Sequence, residues 1–200
     1  MSGSRPIRLP ARDFSGRALP VATLRRLESL RVHSTAFPAV AFRKIEAHRF
    51  SHPDAPGGLL YLACDLETCL WECFGDSILD PGAIIARAAW ENRRLSRVRS
   101  GTSLRLCDLT ELATRRALGV DQSALKHTDL AVPQAWGLAI QTHPDQVDGI
   151  RYLSRFTSRP CLAIFERPGR VSDLAESALG LLPDLDEAEE FLAENFIALA

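Results

Sequence analysis

Apolar and polar positions alternate in Leu30-Arg31-Val32-His33-Ser34, as in a half-buried strand. Before it, residues 21–30 have the pattern of a short helix. After it, a stretch to Gly58 with Pro38, Pro53, Pro56 and Gly57 breaks every period and predicts a long loop. Leu59-Leu60-Tyr61-Leu62-Ala63 predicts a short apolar strand, and Asp65 is a good N-cap for a helix over residues 66–74. On that helix Leu66, Cys69, Leu70 and Cys73 share one face, Glu72 borders it, and Gly75 is the expected stop. Residues 83–94 are helical in pattern and residues 104–108 strand-like; Thr110 caps a helix that Gly119 ends. An amphipathic helix over 133–142 carries Trp136. Two strands, over 149–155 and 160–166, are joined by a polar turn. Asp184 or Asp186 opens a last helix with Ala188, Phe191, Leu192, Phe196 and Leu199 on its apolar face. Helices and short strands mix without regular βαβ alternation, which favours an α+β fold.

Composition sharpens this picture. Of 200 residues, 46% are hydrophobic and 24% charged, which excludes disorder by low hydrophobicity and suits one domain with a sizeable core. The formal charge of −1 gives no basic excess that would argue for direct nucleic-acid binding. The average hides an asymmetry, because residues 171–200 hold eight acidic groups and no Lys or Arg. Residues 1–170 therefore carry 24 basic and 17 acidic groups, a net of +7. A basic body with an acidic tail suits an anionic small ligand or a tail that screens the body, and a solvated acidic helix face equally accounts for the tail alone. The chain thus divides into an N-terminal arm over 1–20, a body over 21–170, and an acidic helical segment over 171–200 packed on the same domain. No apolar run is long enough to cross a bilayer, and the start lacks the apolar stretch of a signal peptide, so a cytoplasmic protein is expected. The five cysteines, three of them within residues 64–73, read as reduced thiols packed as small hydrophobes.

The common nucleotide, hydrolase and metalloprotease signatures are missing. There is no Gly-x-Gly-x-x-Gly, Walker loop, Gly-x-Ser-x-Gly or His-Glu-x-x-His. His48 and His52 flank Arg49-Phe50-Ser51 in the predicted loop, where their spacing sets no common face, and they read as solvated histidines. No metal site is expected. What stands out instead is polar chemistry placed where a core should be: Arg31 in a strand, Tyr61 in an apolar strand, Glu72 beside an apolar helix stripe, and Ser154 at a strand end.

In their order these residues carry a resemblance. Arg31-Val32-His33, Arg49-Phe50, Gly58-Leu59-Leu60-Tyr61-Leu62-Ala63 and Glu72 together resemble a RES domain. Leu104-Arg105-Leu106-Cys107-Asp108-Leu109, Trp136-Gly137-Leu138-Ala139-Ile140, Asp148-Gly149-Ile150-Arg151-Tyr152-Leu153-Ser154-Arg155 and Ile164-Phe165-Glu166 continue it, from about Arg31 to Glu166. The family's eponymous Arg, Glu and Ser would be Arg31, Glu72 and Ser154. The resemblance implies an α+β domain like the ADP-ribosyltransferases and a toxin that consumes NAD as substrate. The reaction splits the nicotinamide–ribose bond by phosphorolysis or hydrolysis, with inorganic phosphate a possible co-substrate and no resident cofactor. It also implies a cognate antitoxin with an Xre-type helix-turn-helix region. Arg31, Glu72 and Ser154 would be catalytic, and Arg49, Tyr61 and His33 substrate-binding. The chain departs from the family at the second arginine, where toxins commonly carry a preceding glycine and this sequence has Ala47-His48-Arg49; Arg43 is the nearest substitute. Two other readings stay open: transfer of ADP-ribose to a macromolecule, and a binding module that has lost catalysis.

Overall fold

The computed structural model describes residues 8–79, 82–168 and 173–200. In chain order the elements are β1 (Val21–Leu24), β2 (Leu27–Ser34), β3 (Leu59–Ala63), α1 (Leu66–Ile78), β4 (Ile84–Ile85), α2 (Arg87–Glu91), β5 (Arg93–Ser100) and β6 (Leu104–Asp108). They continue with α3 (Leu112–Leu118), α4 (Gln122–Leu125), α5 (Ala131–Gln141), β7 (Gly149–Leu153), β8 (Pro160–Phe165), β9 (Leu174–Leu181), α6 (Asp186–Glu194) and β10 (Ala198–Leu199). Eight strands form one mixed sheet in the order β1-β6-β7-β8-β3-β2-β5-β9, and β4 and β10 form a separate parallel pair. The expected α+β class is the one observed, with a single parallel step, β6 to β7, among antiparallel neighbours.

β3 shows how the sheet is buried on both faces. Leu59 and Ala63 belong to the larger core, which holds Leu70 of α1, Trp136 and Ile140 of α5, and Ile150 of β7. Leu60 and Leu62 point to a second core with Leu27, Val98, Leu106 and Ile164. Alternate residues of a strand leave opposite faces, so a continuous apolar run is needed where both are covered. The second face is closed by Ala39, Val40 and Phe42 from the long segment between β2 and β3, so that segment is part of the packing.

Several expected elements differ. Residues 21–30 form no helix: Arg25 and Arg26 interrupt two strands, β1 on β6 and β2 on β5, and pairing overrides local helical preference. The pattern over 83–94 splits into β4, the five-residue α2 that buries Trp90, and the start of β5. α1 does start at the Asp65 cap, whose carboxylate accepts from the Thr68 N–H at 2.8 Å, but it does not stop at Gly75. It runs to Ile78, and Gly75 is needed because a Cβ there would collide with the Phe156 ring. The helix expected from Thr110 has Glu111 as its N-cap, and Gly119, at φ 74°, ends it in the left-handed conformation as expected. The acidic segment also supplies β9, which pairs with β5, before α6. The N-terminal segment is docked where it is described: Phe14 and Leu19 are buried, and the Trp136 indole N–H donates to the Arg8 carbonyl at 2.9 Å. No helix among the described residues is long and apolar enough to cross a membrane.

Candidate active site

The strand and helix that follow the long loop meet at a cavity of about 570 Å3, bounded by β2, β3, α1, the loop, and the turn after β7. Volumes of this order accommodate small-molecule ligands. Arg31, His33, Arg49, Tyr61 and Glu72 all line it. Ser154, fully buried, does not line the cavity but reaches it through Glu72: its hydroxyl donates to Glu72 Oε1 at 2.6 Å. The Ser154 oxygen also accepts from the Phe156 and Thr157 N–H groups at 3.2 and 3.3 Å. Those two donors fix the hydroxyl proton toward the carboxylate, since an oxygen already accepting from two N–H groups keeps only its own proton to give. α1 is seated against this turn through Gly75 under the Phe156 ring and through Trp71, which stacks on Phe156 at 5.7 Å. Glu72 therefore projects from a helix that packs on the Phe156 ring through Trp71 and Gly75.

The other expected residues have more specific duties. The Tyr61 hydroxyl accepts from the Phe50 N–H at 3.0 Å, pinning the loop onto β3, and burial raises its pKa, so it stays neutral. Arg49 donates one nitrogen to the carbonyls of Leu125 and His127, at 2.8 and 3.4 Å. Arg31 uses one nitrogen on the carbonyls of Ala39 and Ala41, which holds the loop beside β2, and burial lowers its pKa. Each guanidinium has further N–H groups beyond these bonds, and both residues line the cavity. His33 is engaged within the chain at both ring nitrogens. Nδ1 donates to the carbonyls of Ser34 and Phe37, both at 3.0 Å, and Nε2 accepts from the Ser96 hydroxyl at 2.9 Å. It braces the loop.

The cavity also gathers Arg43, the substitute named for Arg49, and residues that the sequence left without a role. Arg43, Arg93 and Arg155 line it with Arg31 and Arg49, against two carboxylates, Glu72 and Asp76. Asp76 pairs with Arg155, whose guanidinium also lies 4.3 Å over the Phe156 ring. Five arginines and two carboxylates leave a net positive lining, and guanidinium groups offer paired donors that match phosphate oxygens. Arg155 follows Ser154 directly and closes the Asp148–Arg155 stretch that carries the resemblance. His48 is not a solvated loop residue: its ring packs edge-on against Tyr61 at 5.1 Å in the cavity wall, while His52 accepts from the Asp54 N–H outside it. Cys69, Cys73 and Cys161 line the cavity too, as thiols that burial pushes up in pKa. All five cysteines are unpaired. No group of three metal-ligating side chains forms among the described residues.

The comparisons with known proteins follow the same outline. A family model described as RES domain matches residues 23–184. The fold is similar to that of a chain in the crystal structure of the M. tuberculosis MbcT-MbcA toxin-antitoxin complex. That similarity has a TM-score of 0.59 and 21% identity, and covers 86% of this chain and 92% of that one. No curated protein matches the sequence.

Proposed function

This chain belongs to the RES domain family, and we propose that it cleaves the nicotinamide–ribose bond of NAD, acting in the cytoplasm as the toxin of a toxin–antitoxin pair. The observation that carries the reading is Glu72, held by Ser154 at 2.6 Å, in a cavity whose lining includes five arginines. Breaking this bond leaves electron-poor ribose, with an oxocarbenium-like transition state. A carboxylate fixed beside that carbon stabilises the charge as it develops. Ordinary glycosidases need a second carboxyl group to protonate the leaving oxygen. Nicotinamide needs no such acid: its ring nitrogen is already cationic, and it takes the bonding electron pair and departs neutral. One unpaired carboxylate suffices, and the other in the cavity, Asp76, is taken up by Arg155.

The ribose carbon is then captured by water, giving ADP-ribose and a proton, or by an oxygen of inorganic phosphate, giving its 1-phosphate. Arg31 and Arg49, with Arg43 and Arg155, supply donors for the substrate's diphosphate or for an incoming phosphate. The partner in this reading is an antitoxin of the Xre helix-turn-helix type; the similar fold belongs to a toxin-antitoxin complex, which supports the pairing. The reading is tested by expressing the chain from a tightly controlled promoter in bacteria and measuring growth and NAD together. Growth arrest with a fall in NAD, both abolished by Glu72→Ala, is expected. Arrest at normal NAD would overturn it.

A further inference from the structure

His48 sits in a turn that is unusually well fixed for a loop. The His48 N–H donates to the Ile45 carbonyl at 2.9 Å, and its own carbonyl accepts from the Ser51 N–H at 3.1 Å. The Ser51 hydroxyl accepts from the Ile45 N–H at 3.1 Å and closes the turn from inside. From outside, the Gln134 side-chain amide on α5 donates to the carbonyls of Glu46 and His48, at 2.6 and 3.1 Å. Two residues on, the Phe50 N–H is bound to Tyr61. These bonds restrain the backbone that carries the His48 side chain.

The imidazole that this turn presents is incompletely used. Nδ1 is buried and has no hydrogen-bond partner. Nε2 makes no hydrogen bond among the described residues, although the ring lines the cavity. A buried N–H without an acceptor is more costly than a buried lone pair in the same place, because the donor forfeits a strong bond to water. The proton of the neutral ring therefore belongs on Nε2, the nitrogen open to the cavity. Burial disfavours the imidazolium, and the guanidinium charges of Arg31 and Arg43 disfavour it further. Arg31 and Arg43 line the same cavity as the ring.

We infer that His48 is a substrate-binding residue that donates from Nε2–H to a diphosphate oxygen of the dinucleotide, beside Arg31 and Arg43. The inference rests on the NAD reading above and assigns one more donor to the anionic half of the ligand. A neutral donor adds direction there without adding charge, while the two arginines supply the attraction.

The test uses ADP as the probe, since it carries the diphosphate and adenosine but no nicotinamide. Its affinity is measured by calorimetry for the full-length protein, His48→Gln and His48→Asn, with nicotinamide release from NAD assayed in parallel. The glutamine amide nitrogen falls near the position of Nε2, and the asparagine nitrogen near Nδ1. His48→Gln is expected to bind ADP within about threefold of the parent, and His48→Asn roughly tenfold or more weakly, the loss of one hydrogen bond to a charged oxygen. Equal affinity in all three proteins, or equal loss in both variants, would overturn the inference. NAD cleavage with no Gln/Asn difference overturns this assignment and leaves the proposed reaction standing. A clear Gln/Asn difference without nicotinamide release supports the assignment and overturns the reaction.

Discussion

Ser154 and Glu72, 82 residues apart in the chain, are joined by a hydroxyl-to-carboxylate hydrogen bond of 2.6 Å. The serine is fully buried at the end of β7, and the glutamate stands on the exposed side of α1 at the cavity wall. The bond converts a flexible surface carboxylate into one of fixed direction.

Removing each partner should therefore have unequal effects. Glu72→Gln is expected to lower the rate of nicotinamide release about 10²- to 10³-fold, the scale of losing one electrostatic stabiliser of the transition state. Ser154→Ala leaves the charge but frees its orientation, and should lower the rate roughly tenfold, as for one hydrogen bond. Turnover at saturating NAD measures both. A Ser154→Ala enzyme with the parent's rate would show that the bond is dispensable.

Arg31 serves the fold as well as the cavity. Arg31→Met strands the carbonyls of Ala39 and Ala41, and about 1–3 kcal/mol of stability should be lost on urea unfolding. An unchanged unfolding midpoint would mean that the loop holds itself without the guanidinium.

Gly137 on α5 lies against the Phe50 carbonyl, and a Cβ there would collide with it. The Gly137→Ala protein has to move α5 or residue 50, at a cost of about 1–3 kcal/mol. Moving Phe50 also pulls its N–H from Tyr61 and shifts the turn that carries His48 and Arg49. Loss of stability together with weakened ADP binding is the expected pair of results; loss of stability alone would show that the turn is uncoupled from α5.

Acid should weaken the fold through its buried imidazoles. Burial holds the imidazoles of His33 and His48 below the ordinary value of 6.5. As pH falls below about 6.5 the unfolded chain binds protons that the folded chain refuses, so stability drops in that direction and is complete above it. Urea unfolding between pH 8 and 5 checks this, and His33→Asn should flatten the slope. The lowered carboxylates Asp13, Glu28, Asp65 and Asp121 titrate at lower pH and do not enter this window.

The legible parts of the fold were those where one periodicity dominates. β3, the capped start of α1, β6, α5, the β7–β8 pair and the start of α6 follow from apolar spacing and from Asp65, but α6 ends at Glu194, so Phe196 is exposed beyond it and Leu199 lies in β10. β5 was hidden because four of its eight residues are arginines, Arg93, Arg94, Arg97 and Arg99, whose long side chains sit on both faces of a strand that pairing alone makes regular. β9 was missed because its outward residues are mostly exposed and its role is to extend an edge. At the site, Arg31, Arg49, Tyr61 and Glu72 could be named from their order in the chain, and the cavity brings them together. His48 could not, because what lifts it out of the solvated class is the Gln134 amide, 86 residues away.

The most direct measurement is chromatography of NAD after incubation with the purified protein, with and without inorganic phosphate, beside Glu72→Ala. Free nicotinamide from the parent protein and none from the variant is the predicted result. ADP-ribose would then identify water as the acceptor, and its phosphorylated form would identify phosphate. Intact NAD under both conditions, from folded protein free of bound inhibitor, would contradict the proposed reaction and leave a binding module on the same scaffold.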